Sequence, residues 1–283
     1  MSYTLDDMRQ LAEDTLRLAK QRGASACEVQ LSISTGQQVS VRMGSTESIE
    51  YNRDKDMTLS VYLGQHRGHA SISDFTPTAL REAVSRATEI AQYTADDSCC
   101  GLADRELMAK QFPDLELYHP WQISVEEALQ VATICEQTAF DVSSKVLNSE
   151  GASVSVAEEQ FVYGNSHGFN GSMLSSQHSI ACSVIAEDNG QMQRDYWYSI
   201  ARDAKDLLSP EQIGRLAGER STRRLNPKPI KTCRVPVLFE ASLASSLIGI
   251  LVSAISGGNL YRKASFLLNS LGTRIASPIL NIV

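Results

Sequence analysis

The sequence predicts an α+β fold. Two helix–antiparallel-meander–helix units, an internal duplication, are followed by the start of a second, incomplete domain. Three observations carry this expectation. Amphipathic helical stretches bracket runs that alternate polar and apolar residues, and the same order of elements recurs at similar spacing further along the chain. A break at Asn226-Pro227-Lys228-Pro229 then precedes a tail of different composition. The expected domains are 1–226, with repeat units at about 5–94 and 122–226, and 227–283 as the beginning of a truncated C-terminal domain.

In the first copy, Leu5 to Arg22 places Met8, Leu11, Ala12, Leu16 and Ala19 close to helical period, and Gly23 is a C-terminal cap. Cys27 to Ile33 alternates cleanly, and Val39 to Met43, Ser48 to Asn52 and Met57 to Leu63 continue as short strands, with turns read at Gly36, Gly44 and Gly64. Thr76-Pro77 opens a second helix through Tyr93, with threonine as N-cap and proline at the first helical position. In the second copy, Ser124 and Glu127 have capping-box spacing ahead of a helix to about Phe140. Strands follow over Ala152 to Tyr163, Met173 to Ala186 and Gln193 to Ala201, with turns at Asn165 to Gly168 and Asp188 to Gly190. Ser209-Pro210 then repeats the Thr76-Pro77 helix start. Asp96 to Trp121 lacks sustained periodicity and reads as a surface linker between the copies. Past the proline-rich break, Val235 to Phe239 reads as a strand feeding a buried apolar helix over Ala241 to Ile255.

A chain of 283 residues with 42% hydrophobic content and a net charge of −7 fits a soluble globular protein. Met1 to Asp7 is polar and acidic, unlike a secretory leader, so a cytoplasmic location is expected. The most apolar run is shorter than the roughly 20 residues a bilayer requires, so no membrane partner is expected. The six cysteines lack Cys-x-x-Cys pairs and are read as reduced, mostly structural thiols. In the adjacent Cys99-Cys100, neighbouring acids raise thiol pKa and oppose a reactive thiolate.

Several residues invite a functional reading. Asn165, Ser166 and His167 form a hairpin tip from which a polar side chain reaches outward, although the backbone demands of a tight turn also account for them. Arg194, Tyr196 and Tyr198 alternate on one strand and make either a core element or a shelf for a bound peptide. Glu158-Glu159 and Glu187-Asp188 resemble catalytic carboxylate pairs, but strand neighbours point to opposite faces, which favours solvated charge. Between Arg215 and Arg234, seven basic residues face Glu219 alone. The rest of the chain is acidic, so a nucleic-acid partner is not expected.

Three motifs are distinctive: Ser256-Gly257-Gly258-Asn259-Leu260-Tyr261-Arg262-Lys263-Ala264-Ser265-Phe266, Tyr163-Gly164-Asn165-Ser166-His167-Gly168, and Arg194-Asp195-Tyr196-Trp197-Tyr198. Together they resemble the TldD/PmbA family, modulators of DNA gyrase and metalloprotease subunits, and the likeness to its PmbA-type members is greater. It runs from about Leu5 to Leu271, and because the family's chains are considerably longer it implies a C-terminally truncated member. In the TldD-type partner a His-Glu-x-x-x-His helix precedes the segment corresponding to Gly258 to Lys263 and carries the metal. Anchoring on Arg262-Lys263 places those ligand positions near Gly249, Ile250 and Ala254, which cannot bind zinc. The last of the five histidines is His178, so no shift of register restores the site.

The resemblance therefore implies a metal-free subunit with no cofactor of its own, inactive alone. Zinc is expected on a TldD-type partner, and the substrates are unfolded or short peptides held by strand pairing. A TldD-type subunit or a second copy of this chain is the expected partner. Peptide contacts are expected at Asn165, Ser166, His167, Arg194, Tyr196 and Tyr198. The alternative is a noncatalytic regulatory module acting on gyrase or a toxin–antitoxin pair.

Overall fold

The computed structural model describes residues 3–280, and the chain divides into two compact units, Met1–Pro227 and Lys228–Val283. In the first, α1 (Leu5–Gln21), β1 (Ala26–Arg42), β2 (Ser45–Leu63), β3 (His66–Ile72) and α2 (Pro77–Tyr93) make one helix–meander–helix copy. The second copy comprises α3 (Val125–Asp141), β4 (Val146–Asn165), β5 (Asn170–Asp188), β6 (Gln191–Ala201) and α4 (Pro210–Arg223). All six strands join one antiparallel sheet in the order β3-β2-β1-β4-β5-β6, so the first strands of the two copies pair at its centre.

The helix starts follow the caps in the sequence. Ser124 and Glu127 form the expected capping box, and Thr76 accepts from the Ala79 amide with Pro77 behind it. Thr4 with Asp7 and Ser209 with Gln212 cap α1 and α4 in the same way. Gly23 follows the end of α1 at φ +90°, and Gly44, Gly64 and Gly190 occupy left-handed positions in the hairpin turns.

The strands are longer and fewer than the alternation predicts. Gly36 is not a turn; it lies in mid-strand β1, packed beneath the Asn52 side chain. The reason is the placement of two separate cores on the helix-covered face. Val29, Leu31 and Ile33 of β1 pack under α1 and α2, whereas Val39 and Val41 of the same strand pack under α3. Between the cores the helix-facing positions become polar, at Thr35 and Gln37, and alternation fades although the strand continues. The strand β3 is missing from the sequence expectation because Gly68 stands at its buried, helix-facing position, which leaves only the partly buried Ala70 and Ile72 to carry an apolar period.

The linker crosses this polar seam. Tyr118 Oη donates to Glu158 at 2.9 Å, the Ser176 amide to the Leu117 carbonyl at 2.9 Å, and His178 Nε2 to the His119 carbonyl at 2.8 Å. His178 is fully buried against the edge of Trp121.

The second unit contains α5 (Ala241–Ile255) and the short α6 (Gly257–Tyr261). Val235 to Phe239 is not a strand: it has no ladder partner among the described residues. Nor is α5 buried as expected, because Ala254 is its one buried residue and Leu243, Leu247, Ile250 and Ile255 are exposed. Few elements of this unit pack on that helix, so its apolar composition is not matched by burial. Among the described residues no helix is long and apolar enough to cross a membrane.

Candidate functional site

The face of the sheet opposite the helices is open and polar. Ser32, Ser34, Gly36 and Gln38 of β1 point there, and opposite them on β2 stand Asp56, Asp54, Asn52 and Glu50. On β4 the corresponding residues are Phe161, Glu159, Ala157 and Ser155. A groove of about 460 Å³ runs between Gln38, Ser40, Ser153, Ala181, Ser183 and Tyr196.

Tyr196 and Tyr198 stack at the β6 edge of this face with centroids 6.2 Å apart, each about half exposed (51% and 45%). Arg194, on the same face, donates to both Glu150 oxygens at 3.0 Å, which holds the Glu150 carboxyl below its ordinary range. These three residues thus form an accessible shelf.

The hairpin tip is a different place. β6 pairs with His178 to Asp188 of β5, so Tyr198 stands opposite Ala181, eleven residues beyond Asn170. At 3.3 Å per residue that is about 36 Å along the strand. At the tip Asn165 is buried, accepting from the His167 and Phe169 amides, and Ser166 Oγ accepts from the Cys27 amide at 3.1 Å. His167 Nδ1 donates to the Ala103 carbonyl at 3.1 Å. The six residues grouped by the sequence reading therefore fall at two separated places, and those of the tip are engaged in holding the turn.

Next to the tip the open face carries a cluster that the sequence reading missed. Glu28 accepts hydroxyl hydrogen bonds from Tyr62 at 2.7 Å and Tyr163 at 3.0 Å. Burial, reinforced by the Glu28 carboxylate, raises both phenol pKa values. These residues lie on three strands separated by up to 135 positions, and only the strand register brings them together.

The other readings resolve plainly. Glu158 and Glu159 take opposite faces, Glu158 toward the linker and Glu159 toward the open side. Asp188 accepts from Lys145 at 2.7 Å and Asn226 at 2.8 Å. All six cysteines are free, and burial followed by the Asp97 charge raises the Cys100 pKa. In the basic stretch, Arg220 and Arg224 contact the buried Asp195 at 3.4 and 3.2 Å, Arg220 lies over the Trp197 ring at 4.9 Å, and Arg215 pairs with Glu219.

Burial opposes ionisation of Asp195, but the Tyr196 amide and the two guanidinium groups outweigh it and hold the carboxyl below its usual range. A lowered folded pKa gives stability that is complete above the unfolded value of about 4 and fades as pH falls through the folded value. Asp195→Asn is expected to flatten this acid limb. Urea midpoints of both proteins at about pH 3 and pH 7 check it: the difference should be larger at pH 7.

Comparison with known proteins places the geometry in context. Models described as PmbA/TldA metallopeptidase domain 1, central domain and C-terminal domain match residues 27–91, 118–225 and 232–283. The chain is 41% identical over 275 residues to Metalloprotease PmbA of Escherichia coli O157:H7, covering 97% of this chain and 61% of that protein. It is 42% identical over 269 residues to the Metalloprotease PmbA homolog of Haemophilus influenzae, covering 95% and 59%. Among solved structures it is similar to a "putative modulator of DNA gyrase" from Bacteroides thetaiotaomicron, with TM-score 0.88 and 24% identity over 97% of this chain and 62% of that one. TldE from Thermococcus kodakarensis gives TM-score 0.71 and 17% identity, over 92% and 58%. These two likenesses establish the fold alone. The chain spans about three fifths of the length of the curated relatives.

Proposed function

Because this chain belongs to the PmbA/TldA metallopeptidase family, we propose that it is the metal-free, PmbA-type subunit of a cytoplasmic peptidase acting on unfolded or short peptides. Its part is to hold substrate and to assemble with a TldD-type subunit that supplies the metal site. The observation that carries this reading is the chemistry of α5. Near the positions that the resemblance, anchored on Arg262-Lys263, aligns with the partner type's ligands, this helix has Gly249, Ile250 and Ala254, which offer no imidazole or carboxylate.

These residues do not fit a zinc ion, so no catalytic step is assigned to them. Ala254 is instead buried, and its carbonyl accepts from Ser265 Oγ at 2.6 Å. Asn259 of the following motif donates to the Ser253 carbonyl at 2.8 Å and accepts from Arg262 at 3.0 Å, so this part of the motif fixes the local turn. The open sheet supports the substrate-holding role: its groove has a small floor, and main-chain pairing at the β6 edge would bind peptide with little dependence on side-chain identity.

The test is hydrolysis of an unfolded casein-type substrate by this chain alone and mixed with a TldD-type subunit, with bound metal quantified on each. Hydrolysis only in the mixture, with metal only on the partner, is the expected result. Cleavage by this chain alone with stoichiometric metal would overturn the reading. Association without hydrolysis would favour a noncatalytic regulatory module.

A further inference from the structure

We propose that Asp195 guards the β6 edge: its carboxylate occupies a main-chain donor that a peptide strand joining this edge would use, and the peptide gains the whole edge only by displacing it. The inference rests on the substrate-holding role above and adds a control to it. Its basis is which main-chain groups of β6 point out of the sheet. In an antiparallel strand successive residues turn their N–H and C=O groups to opposite neighbours. The Glu187 amide of β5 donates at 2.8 Å to the carbonyl of Lys145, just ahead of β4, whereas the Ser176 amide donates to Leu117 on the other side. Even-numbered residues of β5 therefore face β6, and their partners there are the odd-numbered Asp195, Trp197 and Ser199. This leaves the amides of Arg194, Tyr196 and Tyr198 pointing outward from the last strand of the sheet.

Those amides are the donors that an added strand needs, about 6.8 Å apart. Tyr196 is the middle one, and it is taken: it donates to Asp195 Oδ1 at 2.8 Å. A carboxylate is a stronger acceptor than a peptide carbonyl, so the peptide competes for this donor at a disadvantage. The residues preceding Arg194 and Tyr198 are Gln193 and Trp197, neither of them a carboxylate. The obstruction thus falls at the centre of the distinctive run Arg194 to Tyr198.

Two guanidinium groups of α4 make the guard firm and still able to yield. Arg220 Nε donates to Asp195 Oδ1 at 3.4 Å and Arg224 Nη1 to Oδ2 at 3.2 Å, which holds the buried carboxylate against the edge. If the Tyr196 amide passes to a peptide carbonyl, the carboxylate keeps both cations and is not left buried without compensation. Opening therefore costs one hydrogen bond rather than a stranded charge. An inward-pointing charge beside an edge strand is also a means of keeping unwanted chains from pairing with it.

The experiment measures fluorescence anisotropy of the full chain with a labelled peptide of 11 residues, the length of β6, that alternates threonine with glutamine. The same peptide N-methylated at every residue, which cannot pair as a strand, is the control. Asp195→Ala is expected to bind the unmethylated peptide at least about fivefold tighter than the parent, because one donor is released. Asp195→Asn, whose carbonyl oxygen still accepts from Tyr196, should gain less. Arg224→Gln loosens the same contact but leaves the carboxylate on the amide, and should stay within about twofold of the parent. The methylated peptide should gain nothing in any variant. Equal affinity of the parent and Asp195→Ala overturns the proposal while leaving the substrate-holding role intact. An equal gain in Arg224→Gln, or with the methylated peptide, also overturns it, since looser packing would then be responsible. If no variant binds the peptide and the parent does not bind unfolded casein, both fail.

Discussion

Replacing Glu136 with alanine is expected to destabilise the protein by about 3 kcal/mol, the scale of removing a buried, charged hydrogen-bond partner. Glu136 is 2% exposed on α3, and its two oxygens accept from the amides of Met43 and Gly44 at 3.0 and 2.8 Å. Those amides form the β1–β2 turn, where both residues have left-handed backbone, φ 50° and 72°. A helix of the second copy therefore caps a turn of the first. Alanine would leave two amides without this acceptor and a cavity beneath them. For a chain of this size the thermal midpoint should fall by about 6 to 12 °C. Glu136→Gln, which keeps the volume and one acceptor oxygen, should recover roughly half of the loss. Thermal melts of the three proteins check the order, and a Glu136→Ala midpoint within about 2 °C of the parent would refute the account.

A larger loss, of at least about 4 kcal/mol, is expected for Gly68→Ala. The added Cβ would lie 1.7 Å from the Ala87 carbonyl oxygen and 2.6 Å from the Ala91 amide nitrogen. Both atoms belong to the backbone of α2, so no side-chain rotation relieves the clash and the helix must lift from β3. The informative control is Gly190→Ala. That glycine has φ +76° with nothing within 4 Å of its added Cβ, so strain alone should cost about 1 kcal/mol. Urea denaturation of both variants distinguishes steric exclusion from backbone strain. Equal losses would show that the β3–α2 approach is looser than the structure has it.

These two residues also mark what could be read from the sequence. The four helices of the first unit were legible because hydroxyl caps and apolar period coincide in them, as at Thr76-Pro77 and Ser124 to Glu127. The duplication followed from the order of elements. Strand β3 was not legible, because contact between a strand and a helix backbone selects Gly68 and leaves Ala70 and Ile72 alone to carry the apolar signal. Gly36 misled in the opposite sense: a glycine within a polar run has the composition of a turn, although here it marks the seam between two cores.

Of the candidate site, the Arg194, Tyr196 and Tyr198 shelf was visible because its residues share one strand. The acidic residues that β2 presents on the open face were hidden in the run Glu50 to Asp56, where Arg53 and Lys55 cancel the charge in sequence but occupy the opposite face in space. The cluster of Glu28, Tyr62 and Tyr163 depends on pairings across the whole first unit, which no local pattern encodes.

The central pairing of β1 with β4 has a consequence for how the molecule is made. Its partners, from Glu28 with Asn165 to Val41 with Ala152, lie 137 to 111 positions apart. During synthesis the first meander must therefore wait, with the long edge of β1 uncovered, until the second has emerged. Such non-local closure slows folding, and a waiting edge is the template on which a second nascent chain can pair. The duplicated halves are not two modules in series. Each completes the other, and the first unit acquires its native sheet only as a whole.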